Sequence, residues 1–118
     1  MPAETSSDSL DRLYLKSYEE EGALVVECTG RLTLENTARL KTEVKGLIPK
    51  HKRIILDLEK LVFMDSSGLG TVVGLYVSAR NSGSKIELCN MSKAIRELLG
   101  MSQLLSVFEA CGRYGMRM

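Results

Sequence analysis

Residues 65–70, Asp-Ser-Ser-Gly-Leu-Gly, are the part of the sequence best suited to chemistry. Two adjacent hydroxyls, Ser66 and Ser67, follow Asp65 just before a helical pattern over residues 69–81. Asp and Ser are favoured at helix starts because their side-chain oxygens accept hydrogen bonds from the free N–H groups of the first turn. Those N–H groups and the positive end of the helix dipole also attract anions. The motif therefore predicts a surface point that carries a phosphate, either bound or attached to a serine.

Enzymatic uses of this region fit the sequence less well. The glycines of residues 68–74, with Glu87 further on, imitate a dinucleotide fingerprint, but their spacing differs and Asp65 would repel a pyrophosphate. No lysine follows the glycines as in a P-loop, and no G-x-S-x-G pentapeptide indicates a serine hydrolase. The only histidine, His51, stands between two lysines in a predicted loop. We therefore predict no catalytic residues, and keep nucleotide binding as a weaker alternative.

Composition indicates an ordinary globular domain. The chain has 118 residues, 44% of them hydrophobic and 26% charged, and a formal net charge of +1. Because there is no basic excess, we expect no nucleic-acid partner. Residues 1–10 are predicted to be a disordered N-terminal tail and residues 11–118 a single domain.

The cysteines and the N-terminal segment bear on compartment. Cys28, Cys89 and Cys111 are far apart, odd in number and without CxxC spacing, which predicts reduced thiols and neither a metal site nor a disulfide framework. Residues 1–9 lack the apolar segment of a signal peptide, and no apolar run approaches the roughly 18–20 residues that span a bilayer. We expect a cytoplasmic protein without direct membrane insertion.

In the first half of the chain, the pattern predicts a β-hairpin followed by a helix. Leu13 and Leu15 alternate with polar residues, residues 19–22 supply a charged turn, and residues 23–30 read as the second strand. Thr33 is predicted to cap a helix that begins at Leu34 and ends before Pro49. Its apolar face would consist of Leu40, Val44, Leu47 and Ile48.

In the second half, a strand over residues 53–58 precedes the motif, and further strands are predicted over 85–89 and 104–108. Ser92 is predicted to cap a short helix that stops at Gly100. The helix after the motif places five residues along one stripe and presents a second stripe of small residues that permits close approach. The first contains Leu69, Val72, Val73, Tyr76 and Arg80, and the second Gly70, Gly74 and Ser78. The order β-β-α-β-α-β-α-β predicts an α/β fold with a mixed sheet and right-handed crossovers.

The hexapeptide 65–70, with the upstream strand and residues 92–105, resembles the STAS-domain family of anti-sigma factor antagonists over about residues 13–108. The resemblance implies a mixed β-sheet of four to five strands with helices packed mainly on one face. It also implies phosphorylation of the first serine after the aspartate, Ser66. Ser67 is the second choice, since it can instead be the capping residue. The implied partner-binding patch consists of Thr33, Asp65, Ser66, Ser67, Gly68 and Leu69.

The function implied by this resemblance is regulatory. The unphosphorylated form would bind an anti-sigma factor that is also a serine kinase, and so release a sigma factor. The kinase would use its own ATP and magnesium, so this chain needs no cofactor, and a serine phosphatase would reverse the modification. Family members often carry an aspartate at the position of Thr33. Because this chain has a threonine there, it lacks that negative charge.

Two alternatives to that function remain. The chain can be a STAS module of another system, such as a stress-signalling scaffold or a transporter accessory subunit, that lacks a kinase switch. It can also be a small-ligand or nucleotide-binding domain.

Overall fold

The computed structural model describes residues 12–101, so the predicted tail and the predicted strand 104–108 lie outside the described part. Five strands and three α-helices alternate along these residues. In chain order they are β1 (Leu13–Glu20), β2 (Ala23–Leu32), α1 (Thr37–Leu47), β3 (Arg53–Asp57), β4 (Leu61–Met64), α2 (Ser66–Asn81), β5 (Lys85–Cys89) and α3 (Lys93–Met101).

The sheet is mixed, as the sequence predicts. Its order is β1-β2-β3-β5, with β4 also paired to β2. Strands β1 and β2 form the predicted antiparallel hairpin, and all other pairings are parallel. Glu21 and Gly22 form the hairpin turn with φ values of 51° and 82°. A two-residue turn with positive φ at both positions matches the right-handed twist of the strands, so the hairpin register is well defined.

Strand β4 is absent from the sequence prediction. Strand β3 pairs with residues 24–27 of β2 and β4 with residues 30–32, so the two lie end to end along one edge of the long strand β2. The register shifts at Gly30, where a Cβ would lie 2.6 Å from the Arg12 carbonyl oxygen. In β4 the adjacent residues Val62 and Phe63 are both exposed, so this strand lacks the period-2 pattern that reveals the others.

The main core lies between the helices and one face of the sheet. Alternate strand residues, such as Val26, Ile54 and Leu88, belong to the same buried cluster as apolar residues of all three helices. The helices therefore pack on one face, which confirms the predicted fold class. Residues of opposite parity, such as Val25 and Ile55, form a separate small cluster on the other face.

Helix α1 starts later than predicted. It begins at Thr37, and Asn36 occupies the cap position without a side-chain cap hydrogen bond. Thr33 is therefore not the helix cap: its hydroxyl donates to Glu35 Oε1 at 2.9 Å, while its carbonyl accepts from the N–H groups of Asn36 and Thr37. The chain turns once over residues 34–36 before the helix begins.

Two helix details differ from the prediction. Helix α2 buries Leu75 and Ala79 and leaves Arg80 exposed, so its buried face differs from the stripe that the sequence pattern grouped together. Ser92 caps α3 as predicted, since its hydroxyl accepts from the Ile95 N–H at 3.2 Å. However, α3 continues through Gly100 to Met101, so this glycine does not end it. Within residues 12–101, no helix has both the length and the apolar character needed to cross a membrane.

Candidate functional site at the start of helix α2

Asp65 caps helix α2. Its backbone is extended, with φ −98° and ψ −175°, and its Oδ1 accepts a hydrogen bond from the Gly68 N–H at 2.9 Å. With this cap in place the helix begins at Ser66, three residues before the start that the pattern predicted. Ser67 therefore lies in the first helical turn and is not the capping residue.

Asp65 also ties the site to the loop that follows β2. Its Oδ2 accepts from the Leu34 N–H at 3.2 Å, across 31 residues of sequence. Its own N–H donates to the Leu32 carbonyl at 3.2 Å. Because one carboxylate serves both segments, the loop and the helix start keep a fixed relative position.

Asn36 braces this loop, and the sequence analysis missed it. Its Oδ1 accepts from the Thr33 N–H at 3.0 Å, and its Nδ2 donates to the Arg31 carbonyl at 2.9 Å. These bonds explain why a polar side chain is buried there. The available signal was an Asn two residues after the predicted helix start, since Asn side chains commonly bond to nearby backbone groups.

The two serines differ in exposure. Ser66 is exposed and Ser67 is half-buried. Within residues 12–101 neither hydroxyl makes a hydrogen bond to another protein group. The Ser66 hydroxyl, at the first helical position, is therefore accessible and uncommitted, which suits a group that is modified.

At Gly68 helix α2 lies close against the sheet. A Cβ at this position would lie 2.8 Å from the Leu32 carbonyl oxygen and 2.8 Å from Met64 Cγ. The predicted close approach at Gly70 and Gly74 is wrong, because nothing lies within 4 Å of a Cβ built at either position. The motif thus contains one glycine required by packing and one that faces open space.

Exposed apolar side chains flank the site. Leu34, in the loop held by Asp65, is 71% exposed. Phe63, two residues before Asp65 in the chain, is 41% exposed. The Arg31 guanidinium lies 4.5 Å from the centre of the Phe63 ring, a cation–π contact. These exposed side chains offer apolar surface to a protein partner. The sequence pattern gave no indication of Leu34, which it had placed inside a helix.

Other chemistry finds little support around this site. Glu87, the acid of the dinucleotide alternative, is buried and forms a bidentate pair with Arg53 at 3.1 and 3.0 Å. It belongs to the sheet face opposite the helices, since it pairs in register with Ile55. Among residues 12–101, no group of three or more His, Cys, Asp or Glu side chains is arranged to hold a metal ion.

A family model described as the STAS domain matches residues 14–115. The chain belongs to the STAS domain family. This STAS domain is 29% identical over 97 residues to the anti-sigma F factor antagonist of Paenibacillus polymyxa, covering 80% of this chain and 83% of the relative.

Solved structures share the fold. The phosphorylated form of the Bacillus cell fate determinant SpoIIAA superimposes with a TM-score of 0.64 at 24% identity, covering 81% of this STAS domain and 86% of that chain. An anti-sigma factor antagonist from Mycobacterium paratuberculosis gives a TM-score of 0.75 at 17% identity, with coverage of 83% and 84%.

The structure brings the six predicted partner-binding residues together at the start of α2. Asp65, Ser66 and Ser67 are at least partly accessible, whereas Thr33 and Leu69 are each 8% exposed and Gly68 is buried. The buried three shape the site beneath its surface. Contact of these residues with a partner stays a prediction.

Proposed function

We propose that this STAS domain is an anti-sigma factor antagonist of the cytoplasm, a regulator and not an enzyme. Its unphosphorylated form binds an anti-sigma factor that is also a serine kinase, and the sequestered sigma factor is released. The observation that carries this proposal is the exposed, unbonded Ser66 hydroxyl at the first position of α2, beside the Asp65 cap. The names of its similar relatives support it.

Phosphorylation of Ser66 would end the interaction. The kinase transfers the γ-phosphoryl group of its ATP to Ser66 Oγ, the hydroxyl proton leaves, and ADP is the other product. ATP and magnesium belong to the kinase. A serine phosphatase hydrolyses the phosphate ester and restores the hydroxyl.

The energetics favour a switch of binding over a change of fold. The phosphate adds roughly −1.5 to −2 charges at pH 7. At the start of a helix an anion is stabilised by roughly 0.3–1 kcal/mol, so the domain tolerates it. An unpaired charge desolvated in an interface costs several kcal/mol, whereas about 1.4 kcal/mol already changes affinity tenfold. The modified domain therefore stays folded and releases its partner.

Calorimetry with the purified cognate anti-sigma kinase tests this function. Ser66→Asp should weaken binding at least tenfold, whereas Ser66→Ala should bind like the wild type. After incubation with the kinase and ATP, phosphopeptide mapping should find the phosphate on Ser66 in the wild type and in Ser67→Ala. Equal affinities of Ser66→Asp and Ser66→Ala, or a phosphate on Ser67 alone, would contradict the proposal.

A further inference from the structure

A groove runs along helices α1 and α2 from Ser67, the residue next to the proposed phosphorylation site. Its volume is about 480 Å³, and the residues lining it include Thr37, Lys41 and Lys45 of α1 and Ser67, Gly70 and Gly74 of α2. A second depression of about 320 Å³ continues it, because it shares Lys45 and Ser78 and reaches Asn81 at the end of α2.

The groove has an elongated shape. From Ser67 to Asn81 helix α2 rises about 20 Å, at roughly 1.5 Å per residue. Gly70 and Gly74 leave its floor open, since nothing lies within 4 Å of a Cβ built at either residue. Glycine is less favourable than alanine in a helix interior, so helix formation does not explain these two residues. A channel of this length suits a helical segment of a protein better than a compact small molecule.

The charge of the groove is positive. Lys41 and Lys45 lie one turn apart on α1, and both are exposed. The ion pairs of residues 12–101 join Arg53 and Lys85 to Glu87, so neither groove lysine has an acidic partner there. No acidic residue lines either part of the groove. Electrostatic complementarity therefore favours an acidic occupant.

We infer that the groove receives an acidic helical segment of the anti-sigma partner, an inference that rests on the proposed function and extends its interface. The groove also explains how a phosphate on Ser66 acts. Ser67 lines the mouth of the groove, and Ser66 is its neighbour in the chain. A dianion there repels the acidic segment that the two lysines attract, so the same electrostatic field serves both binding and release.

The charge of the groove is tested by affinity measurements with the purified cognate anti-sigma kinase. The double variant Lys41→Glu/Lys45→Glu should lose at least tenfold in affinity at low salt, and less at high salt because salt screens the attraction. The matched control Lys16→Glu/Lys93→Glu makes the same charge change at exposed residues of β1 and α3, outside the groove. It should bind like the wild type.

The results distinguish this inference from the proposed function. If Lys41→Glu/Lys45→Glu binds the kinase with the same affinity as its control while Ser66→Asp binds weakly, the groove proposal is wrong and the proposed switch stands. If the wild type does not bind the kinase at all, the proposed function itself fails.

A steric variant tests the groove without a change of charge. Gly74→Leu places a side chain in the open floor, so it should reduce affinity at least tenfold while the melting temperature stays at or above that of the wild type. Gly46→Leu is a control at an exposed glycine of α1 that does not line the groove. Wild-type affinity in Gly74→Leu would overturn the proposal.

A crosslinking experiment identifies the occupant. A photo-crosslinking amino acid in place of Ser78 should capture an acidic segment of the bound kinase, identified by mass spectrometry. Capture of a segment without acidic residues would overturn the inference. An NMR titration gives a second test. If ATP or inorganic phosphate shifts the amide signals of Gly70 and Gly74 to a saturating value, and the same ligand leaves partner affinity unchanged, the groove is a small-anion site and the inference is overturned.

Discussion

At the scale of single residues, Asp65 organises the site. One carboxylate oxygen caps α2 by accepting from the Gly68 N–H. The other holds the loop that follows β2 by accepting from the Leu34 N–H. Hydrogen bonds to charged groups are stronger than those between neutral groups. The same residue therefore sets where the helix starts, how Ser66 is presented and where the exposed Leu34 lies.

Replacement of Asp65 should separate these two roles. Asp65→Ala removes both acceptors and should lower the free energy of unfolding by about 2 kcal/mol, from the lost cap and the lost loop contact. Asp65→Asn keeps an oxygen for the cap, because Asn is an equally good N-cap residue, and should lose roughly half as much. Urea denaturation measures both values. An Ala variant as stable as the wild type would show that neither hydrogen bond contributes.

At the scale of secondary-structure elements, α2 contacts the sheet at Gly68 and faces open space at Gly74. These two glycines therefore predict opposite effects of the same substitution. Gly68→Ala forces a Cβ against backbone and should destabilise the fold by about 1–3 kcal/mol. Gly74→Ala should stabilise it by roughly 0.5–1 kcal/mol, because alanine is the better helix former. Urea unfolding of the two variants side by side is the measurement, and effects of the same sign would contradict this packing.

The sequence predicted those elements whose cause is local. Strand β5 matches its prediction and β3 lies wholly within the predicted strand 53–58, because their apolar residues lie close together in sequence, and the hairpin matches because its turn residues are adjacent. The start of α1 was missed because Thr33 and Asn36 are held by contacts that compete with a cap. Strand β4 was missed because it depends on pairing with the end of β2.

The candidate site shows the same division between local and distant causes. The type and spacing of residues 65–70 predicted a helix start with two serines, and in the structure a helix does start at Ser66. The link from Asp65 to Leu34 spans 31 residues and could not be found by local pattern. The groove depends on the distance between α1 and α2, which no short motif encodes.

At the scale of the whole molecule, the two faces of the sheet have different surroundings. The helix-facing side contains Cys28, which lies in the main core. Cys28 belongs to β2, the strand with which both β3 and β4 pair. Burial, and secondarily the negative charge of Asp57, raises the pKa of the Cys28 thiol from 9.0 to about 12. Because a thiolate is the reactive form of cysteine, this residue should resist oxidation in the folded domain.

The raised pKa of Cys28 also makes global stability depend on pH. Between pH 9 and about 12 the folded protein keeps a proton that the unfolded chain releases, so the free energy of unfolding should fall as pH rises through this window. Below pH 9 this contribution is constant, because both states are protonated. Urea unfolding at pH 8 and pH 10 measures the effect. The variant Cys28→Val has no thiol to ionise while it shares the other titrating groups, so its stability should fall less than that of the wild type between the two pH values. Equal losses in both proteins would mean that the thiol ionises as readily in the folded core as in the unfolded chain.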